Sequence, residues 1–284
     1  MKLLITGAGG QLGQALQAVV PDDVDVVAAT SAALDIGDAD AVAAYVAAEK
    51  PNLLINAAAY TAVDKAEGDA DAAFRINGEA VGYLSLAAEA SGAHFVHVST
   101  DFVFDGEAGR PYAPDAATAP LGVYGASKLR GEQQAGDGAL IVRTAWVYGS
   151  RAANFVRTML RLMAEREELR VVADQIGTPT WATSLADGIW KLAAADARGI
   201  YHYTDSGAAS WYDFAVAIQE EALVLGLLGR AIPIVPIPSS AYPTPARRPH
   251  YSVLDKEATS ALIGVPPHWR ANLRRMLAEV RQHG

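Results

Sequence analysis

The first twenty residues carry the order that most restricts the fold. Lys2-Leu3-Leu4-Ile5-Thr6 runs directly into Gly7-Ala8-Gly9-Gly10-Gln11-Leu12-Gly13, and residues 14–20 continue at helical spacing. A short apolar run bounded by glycine reads as a buried parallel strand. Strand, glycine turn and helix together are the setting of a dinucleotide-binding loop. Gly7 allows the tight turn, Gly10 lets a pyrophosphate approach the backbone, and Gly13 permits the helix to pack closely on the strand. The helix N-terminus then attracts the phosphates. The spacing is GxxGxxG rather than GxGxxG. Nucleotide binding at this junction is the first expectation.

The rest of the chain repeats the alternation. Residues 25–29, 53–57, 94–99 and 139–143 read as strands, and residues 38–50, 74–91 and 124–134 as helices. Near-continuous apolar strands alternating with helices predict an α/β fold: a Rossmann-like doubly wound parallel sheet covered on both faces. His94 and His97 sit three apart on one strand, face opposite sides of it and read as packing residues. After Gly149 the texture changes. Helices are expected over 154–166, 184–194, 211–225 and 270–281, strands over 169–172 and 199–203, and a rigid polar loop over 174–180. Residues 232–249 are proline-rich and predict an extended, pocket-forming segment. The organisation expected is a nucleotide-binding domain over residues 1–150. Residues 151–284 would mostly form a smaller C-terminal substrate-binding lobe, with some elements returning to the sheet.

Composition narrows the function. A net charge of −9 argues against nucleic acid and against an anionic membrane surface. The absence of cysteine removes disulfides, thiolate metal sites and cysteine nucleophiles. No apolar run approaches membrane-spanning length, and no basic-then-apolar leader precedes Gly7, so a cytoplasmic protein is expected.

The chemistry is carried by Ser99-Thr100-Asp101 and by Tyr124-Gly125-Ala126-Ser127-Lys128. Tyr124 and Lys128 are helical neighbours at i and i+4. An ammonium beside a phenol favours the phenolate and predicts a lowered tyrosine pKa, suited to moving a proton near neutral pH. A hydroxyl at the preceding strand end adds a donor for a carbonyl oxygen.

These pieces resemble the extended short-chain dehydrogenase/reductase superfamily. The resemblance sharpens in Asn56-Ala57-Ala58-Ala59-Tyr60-Thr61-Ala62-Val63-Asp64-Lys65-Ala66-Glu67, in Ser99 to Gly106 and in Tyr124 to Glu132. It continues in Arg143 to Gly149, Asp174 to Thr180 and Arg247-Arg248-Pro249. In that order, and over nearly the whole chain, the blocks are similar to the dTDP-4-dehydrorhamnose reductase family. The resemblance implies hydride transfer from NAD(P)H to C4 of dTDP-4-dehydro-6-deoxy-L-mannose, giving dTDP-L-rhamnose for cell-surface polysaccharide. It implies Tyr124 as proton donor, Lys128 on the nicotinamide ribose and Thr100 on the carbonyl oxygen. Gly7, Gly10, Gln11, Leu12, Gly13, Asp35, Ile36, Ala57, Ala58, Ala59, Tyr60 and Ser99 would join Tyr124 and Lys128 around the cofactor. Val63, Asp101, Phe102, Trp146, Gln175 and Arg247 would line the sugar-nucleotide site with Thr100 and Tyr124. Phe102 departs from the tyrosine common in the family.

The second strand ends in Ala29-Thr30-Ser31, with neither an acid to repel a 2′-phosphate nor an arginine to select it; NADPH is expected, with NADH tolerated. Some relatives dimerise around a glutamate-held magnesium, but Ala15 stands at one such position and Glu279 near the C-terminus reads as surface. The expectation is a monomer or weak homodimer without a metal. Two other readings share the apparatus: a different NDP-sugar ketoreductase or epimerase, and a regulatory subunit like that of methionine adenosyltransferase.

Overall fold

Six parallel strands make the central sheet of the computed structural model, which describes residues 1–283 of the chain. They are β1 (Lys2–Thr6), β2 (Asp25–Ala29), β3 (Leu53–Asn56), β4 (His94–Thr100), β5 (Leu140–Thr144) and the strand Gly199–His202. The last lies beside β5, and the order continues β4-β3-β1-β2. Every pairing is parallel. The chain therefore winds outward in both directions from β1 and β3. In open α/β sheets the crevice beyond the carboxyl ends of such a pair is where ligands bind.

The two faces follow from the period of two along each strand. Leu3, Ile5, Leu53, Ile55, Val96, Leu140 and Val142 face one way, under the helices Gln11–Val19 and Ala182–Ala194. Leu4, Leu54, Phe95 and Ile141 face the other, under Ala39–Glu49 and Ala80–Ser91. Asp38 caps the helix Ala39–Glu49 by accepting from the Ala41 N–H, and Lys50 closes it in the left-handed conformation before Pro51. The helix expected over 74–91 is divided. Ala70–Phe74 leads into a π-helical turn, Arg75–Glu79, before Ala80–Ser91 resumes, ended by Gly92 at φ +71°.

A separate apolar cluster holds the second half. Helices Phe155–Glu165, Trp211–Val224 and Trp269–His283 enclose Tyr148, Met159, Met163, Phe214, Ile218, Leu273 and Met276. The proline-rich segment contributes Ile234–Ile237, paired parallel to Leu169–Val172. Pro236 is tolerated there because that two-stranded ribbon has an open edge. The stretch expected to be a polar loop contains two short pairings. Ile176–Gly177 lies against Ala209–Ser210, and Thr180–Trp181 against Val147–Tyr148. No helix among the described residues is long and apolar enough to cross a membrane.

Candidate active site

The glycine loop leaves β1 and turns at Gly7, whose φ is +68°. A Cβ at Gly7 would stand 2.5 Å from the Ala58 nitrogen, and one at Gly13 2.3 Å from the Gly7 carbonyl oxygen. These two glycines let the loop nest against β3 and the helix against the loop. Gly9 and Gly10 are exposed. The helix Gln11–Val19 has no side-chain cap and no acidic residue in its first turn. Its first amides are thus left for an anion, in the field of the helix dipole. These features fit a dinucleotide pyrophosphate over Gly10, Gln11, Leu12 and Gly13. Toward the far end of the crevice Asp35 accepts from the Gly37 N–H at 2.9 Å and pairs with Arg75 at 3.1 Å. Its carboxyl is held below the usual range by the Gly37 N–H first and by Arg75 next. Arg75 comes from the π-helical turn, a cation beside Asp35 that reading β2 alone did not disclose.

On the Leu4 face the sheet turns polar two residues later. Thr6, Asn56 and His97 stand in register on β1, β3 and β4. Thr6 donates to Asn56 Oδ1 at 2.7 Å, and Asn56 Nδ2 lies 3.1 Å from His97 Nδ1. Two residues further, Ser99 donates to Glu132 at 2.5 Å. The helix Val123–Gln134 lies over this row and brings Lys128 down onto it. Lys128 Nζ donates to the Val98 carbonyl at 2.7 Å and sits 3.3 Å from His97 Nε2. Glu132, one turn later, takes a two-pronged ion pair from Arg143 of β5 at 2.9 and 2.7 Å. Thus the lower half of the helix is bolted to β4 and β5. Its N-terminus is tied by Glu67, which accepts from the Val123 N–H at 2.9 Å. Asn77, in the π-helical turn, reaches both the Tyr60 backbone and Ser127 Oγ, so the 57–60 loop and the helix are fixed to each other. His97 is therefore more than packing. Glu132 ends and Arg143 opens blocks that carry the resemblance, though nothing in them marks a clamp; Asn77 lies in no motif at all.

Tyr124 meets Thr100 at the mouth of β4. The lowered tyrosine pKa expected from sequence is not what the surroundings produce: burial pushes the phenol up to about 12, with a Thr100 hydrogen bond opposing and the Asp101 charge adding. Lys128 points into the sheet toward His97, so its charge is not spent on the phenol. Lys128 is itself lowered to about 8 by burial, against the pull of Glu132. A phenol kept protonated is a proton donor, the state a reduction uses. Thr100 Oγ1 donates to Asp101 Oδ1 at 3.0 Å and accepts from the Phe102 N–H. Asp101 is buried, its carboxyl raised to about 6 by that burial and eased by Ser252 and Thr100. Ser99 spends its hydroxyl on Glu132, so only its backbone is left for a cofactor.

The Phe102 ring stands edge-on to Tyr124 at 5.5 Å between centroids. Tyr251 N–H donates to Gly106 O, and Ser252 N–H to Ile176 O, which joins the Thr100–Gly106 region to the Gln175 strand. Trp146 has φ +49° and stacks on Trp211 at 3.6 Å, while its ring fills the space a Cβ on Gly177 would need. Asp64, next to Val63, binds Arg248 at 2.7 Å and the Ala246 N–H. Arg248 is thus committed to Asp64, and Arg247 is exposed beside it.

Residues 1–282 match the family model described as the RmlD substrate binding domain. The chain belongs to this family. A dTDP-4-dehydrorhamnose reductase of Burkholderia thailandensis is 47% identical, over 95% of this chain and 96% of its own. A crystal structure of the same-named reductase from Clostridium acetobutylicum has a TM-score of 0.93 at 39% identity, covering 99% of this chain and 100% of its own. One from Bacillus anthracis, in complex with NADP, has a TM-score of 0.92 at 36% identity, covering 98% and 99%. In this RmlD-family chain the glycine crevice and the Thr100–Tyr124–Lys128 corner are parts of one continuous fold rather than scattered motifs. Asn56, His97 and Asn77 had one sequence signal, a polar residue among apolar ones: Asn56 ends β3, His97 lies within β4 and Asn77 interrupts a helix.

Proposed function

We infer that the protein is an NADPH-dependent reductase that converts the C4 ketone of dTDP-4-dehydro-6-deoxy-L-mannose to dTDP-L-rhamnose. The observation that carries the reading is the corner itself. A protonated phenol, a hydroxyl and a buried lysine converge at the carboxyl ends of β3 and β4, beside a glycine loop fitted to a dinucleotide. Gly7, Gly10, Gln11, Leu12 and Gly13 would hold the pyrophosphate, Asp35 and Ile36 the adenosine, and Ala57 to Tyr60 with Ser99 the middle. Bound there, NADPH supplies the hydride. Tyr124 gives its phenolic proton to the C4 oxygen as charge develops on it. Thr100 has one hydroxyl proton, now turned to Asp101; turned to the substrate oxygen, it would add a second donor. Lys128 would hold the ribose hydroxyls. Val63, Asp101, Phe102, Trp146, Gln175 and Arg247 would receive the sugar and diphosphate, Arg247 supplying the cation that an acidic chain needs locally.

Residues 1–150 are taken as the cofactor domain and 151–284 as mostly the substrate lobe. The distinct apolar cluster of the second half supports this division. The return of Gly199–His202 to the sheet supports the word mostly. Ala15 is buried and offers no side-chain oxygen to a metal. A cytoplasmic monomer or weak homodimer without magnesium is proposed.

The test is NADPH oxidation with the dTDP-ketosugar generated in situ, with product identified as dTDP-rhamnose. Tyr124→Phe is expected to lower kcat by about 10²–10⁴-fold while NADPH binding is kept. Saturable NADPH binding without turnover of this sugar would overturn the reading and favour another NDP-sugar or a regulatory role.

A further inference from the structure

The hydrogen positions around Lys128 are fixed by a chain of donors and acceptors with one solution. The Ala58 backbone N–H can only donate, and it points at Asn56 Oδ1 at 3.1 Å. Thr6 Oγ1 donates to the same oxygen. The Asn56 amide is therefore oriented, and its NH₂ faces His97 Nδ1 at 3.1 Å. An amide nitrogen donates and does not accept, so Nδ1 must carry the lone pair. A neutral imidazole has a single N–H, which then sits on Nε2. Burial holds the His97 pKa well below its ordinary value, which keeps the ring neutral. Its Nε2–H faces Lys128 Nζ at 3.3 Å. An ammonium has three donors and no acceptor, so donor would oppose donor in a buried site. The clash disappears if Nζ is an amine: its lone pair accepts from Nε2–H, and one of its hydrogens goes to the Val98 carbonyl.

We propose that His97 is a positioning residue that favours the neutral amine of Lys128 over its ammonium in the cofactor-free enzyme, through a tautomer dictated by Asn56 and the Ala58 N–H. Entry of the anionic cofactor then shifts the balance back toward the ammonium. The charged and titratable groups acting on Lys128 are His97 from β4 and Glu132 from its own helix, which Arg143 of β5 neutralises; Tyr124 lies one turn before it on that helix. β1 and β3 present only the neutral Thr6 and Asn56. The depressed Lys128 pKa, set first by burial, agrees with the geometry.

The part Lys128 plays in turnover rests on the reductase reading; its protonation in the free protein does not. Two NMR measurements on the full chain without cofactor test it. Two-bond ¹H–¹⁵N correlations are expected to show His97 as the Nε2–H tautomer. The ¹³Cε titration of Lys128, assigned by its loss in Lys128→Met, is expected to have a midpoint about two units below the exposed lysines. Asn56→Asp, which accepts from Nδ1–H and so reverses the tautomer, is expected to raise that midpoint by about one unit or more. His97→Gln can reproduce the order of acceptor then donor and is expected to keep it low. In NADPH oxidation the alkaline limb should move with the same variants. An Nδ1–H tautomer, a Lys128 titrating with the surface lysines, or equal midpoints in Asn56→Asp and wild type would overturn the proposal. Normal NMR results without ketosugar turnover would leave it standing and sink the reductase reading alone.

Discussion

Tyr124 is a residue whose neighbours act against the simplest expectation from its motif. Four residues from a lysine, it is nonetheless held protonated, because that lysine is drawn into the sheet and the phenol is desolvated beside Asp101. The consequence has a sign. In the donor role proposed for it, a phenol with a pKa near 12 stays loaded across the neutral range, so ketone reduction should not fall off through loss of the Tyr124 proton below about pH 10. Phe102 belongs to the same scale. Its ring already packs edge-on to Tyr124 at the mouth of the site. Phe102→Tyr should add a hydroxyl within reach of the sugar, worth about 0.5–1.5 kcal/mol. The expected outcome is a KM for the ketosugar lowered by roughly 2–10-fold with kcat little changed. An unchanged KM would place Phe102 outside the sugar contact surface.

At the scale of elements, the helix Val123–Gln134 is what positions the chemistry, and buried polar groups hold it rather than an apolar stripe. Glu132 and Arg143 are both nearly inaccessible, and Phe104 lies under the guanidinium at 5.0 Å. Removing one partner strands a buried charge. Arg143→Met is expected to cost about 3–5 kcal/mol in denaturant unfolding, and the paired change with Glu132→Leu to recover much of it. Full additivity of the two losses would contradict the coupling. The closing helix is held differently. Arg270 and Arg274 converge on Glu221 of the helix Trp211–Val224. Hydrogen bonding to Arg274 first, then to Arg270, depresses the Glu221 pKa to about 2. A depressed carboxylate contributes stability that is complete above its ordinary value of 4.5 and is lost as pH falls toward 2. Glu221→Gln should therefore lower stability by about 1–3 kcal/mol at pH 7 and have almost no effect near pH 2.

For the whole molecule the informative group is Asp205, just past the strand Gly199–His202. It accepts from the Trp181 N–H at the head of the helix Ala182–Ala194 and faces Ser184 and Asn272. One carboxylate thus ties the end of the sheet to the helix that covers it and lies against the closing helix of the second half. Burial raises its pKa to about 6. The sign is opposite to that of Glu221. Between 3.8 and about 6 the folded state binds the proton more tightly, so this contribution is present at low pH and lost as pH rises through about 6. Asp205→Asn should be more stable than wild type at pH 8, by about 1–3 kcal/mol, and equal to it near pH 4. Thermal melts across that range would show the crossover; a constant difference would refute it.

The amino-acid sequence by itself determined the parallel sheet, the glycine crevice and the Thr100–Tyr124–Lys128 set. Each is written in short-range order: apolar runs of strand length, glycines where a Cβ would collide, and a phenol and an amine one helical turn apart. Only the tertiary structure decided what those groups do to one another. The register that aligns Thr6, Asn56 and His97 on three strands joins residues 41 and 50 positions apart. The π-helical turn that aims Asn77 and Arg75 is invisible to a helical period. The choice of Arg248 rather than Arg247 for Asp64 depends on a contact across 184 residues. Lastly, the direction of each pKa shift at the site follows from water excluded by packing, and desolvation is a property of the folded volume rather than of any local stretch of chain.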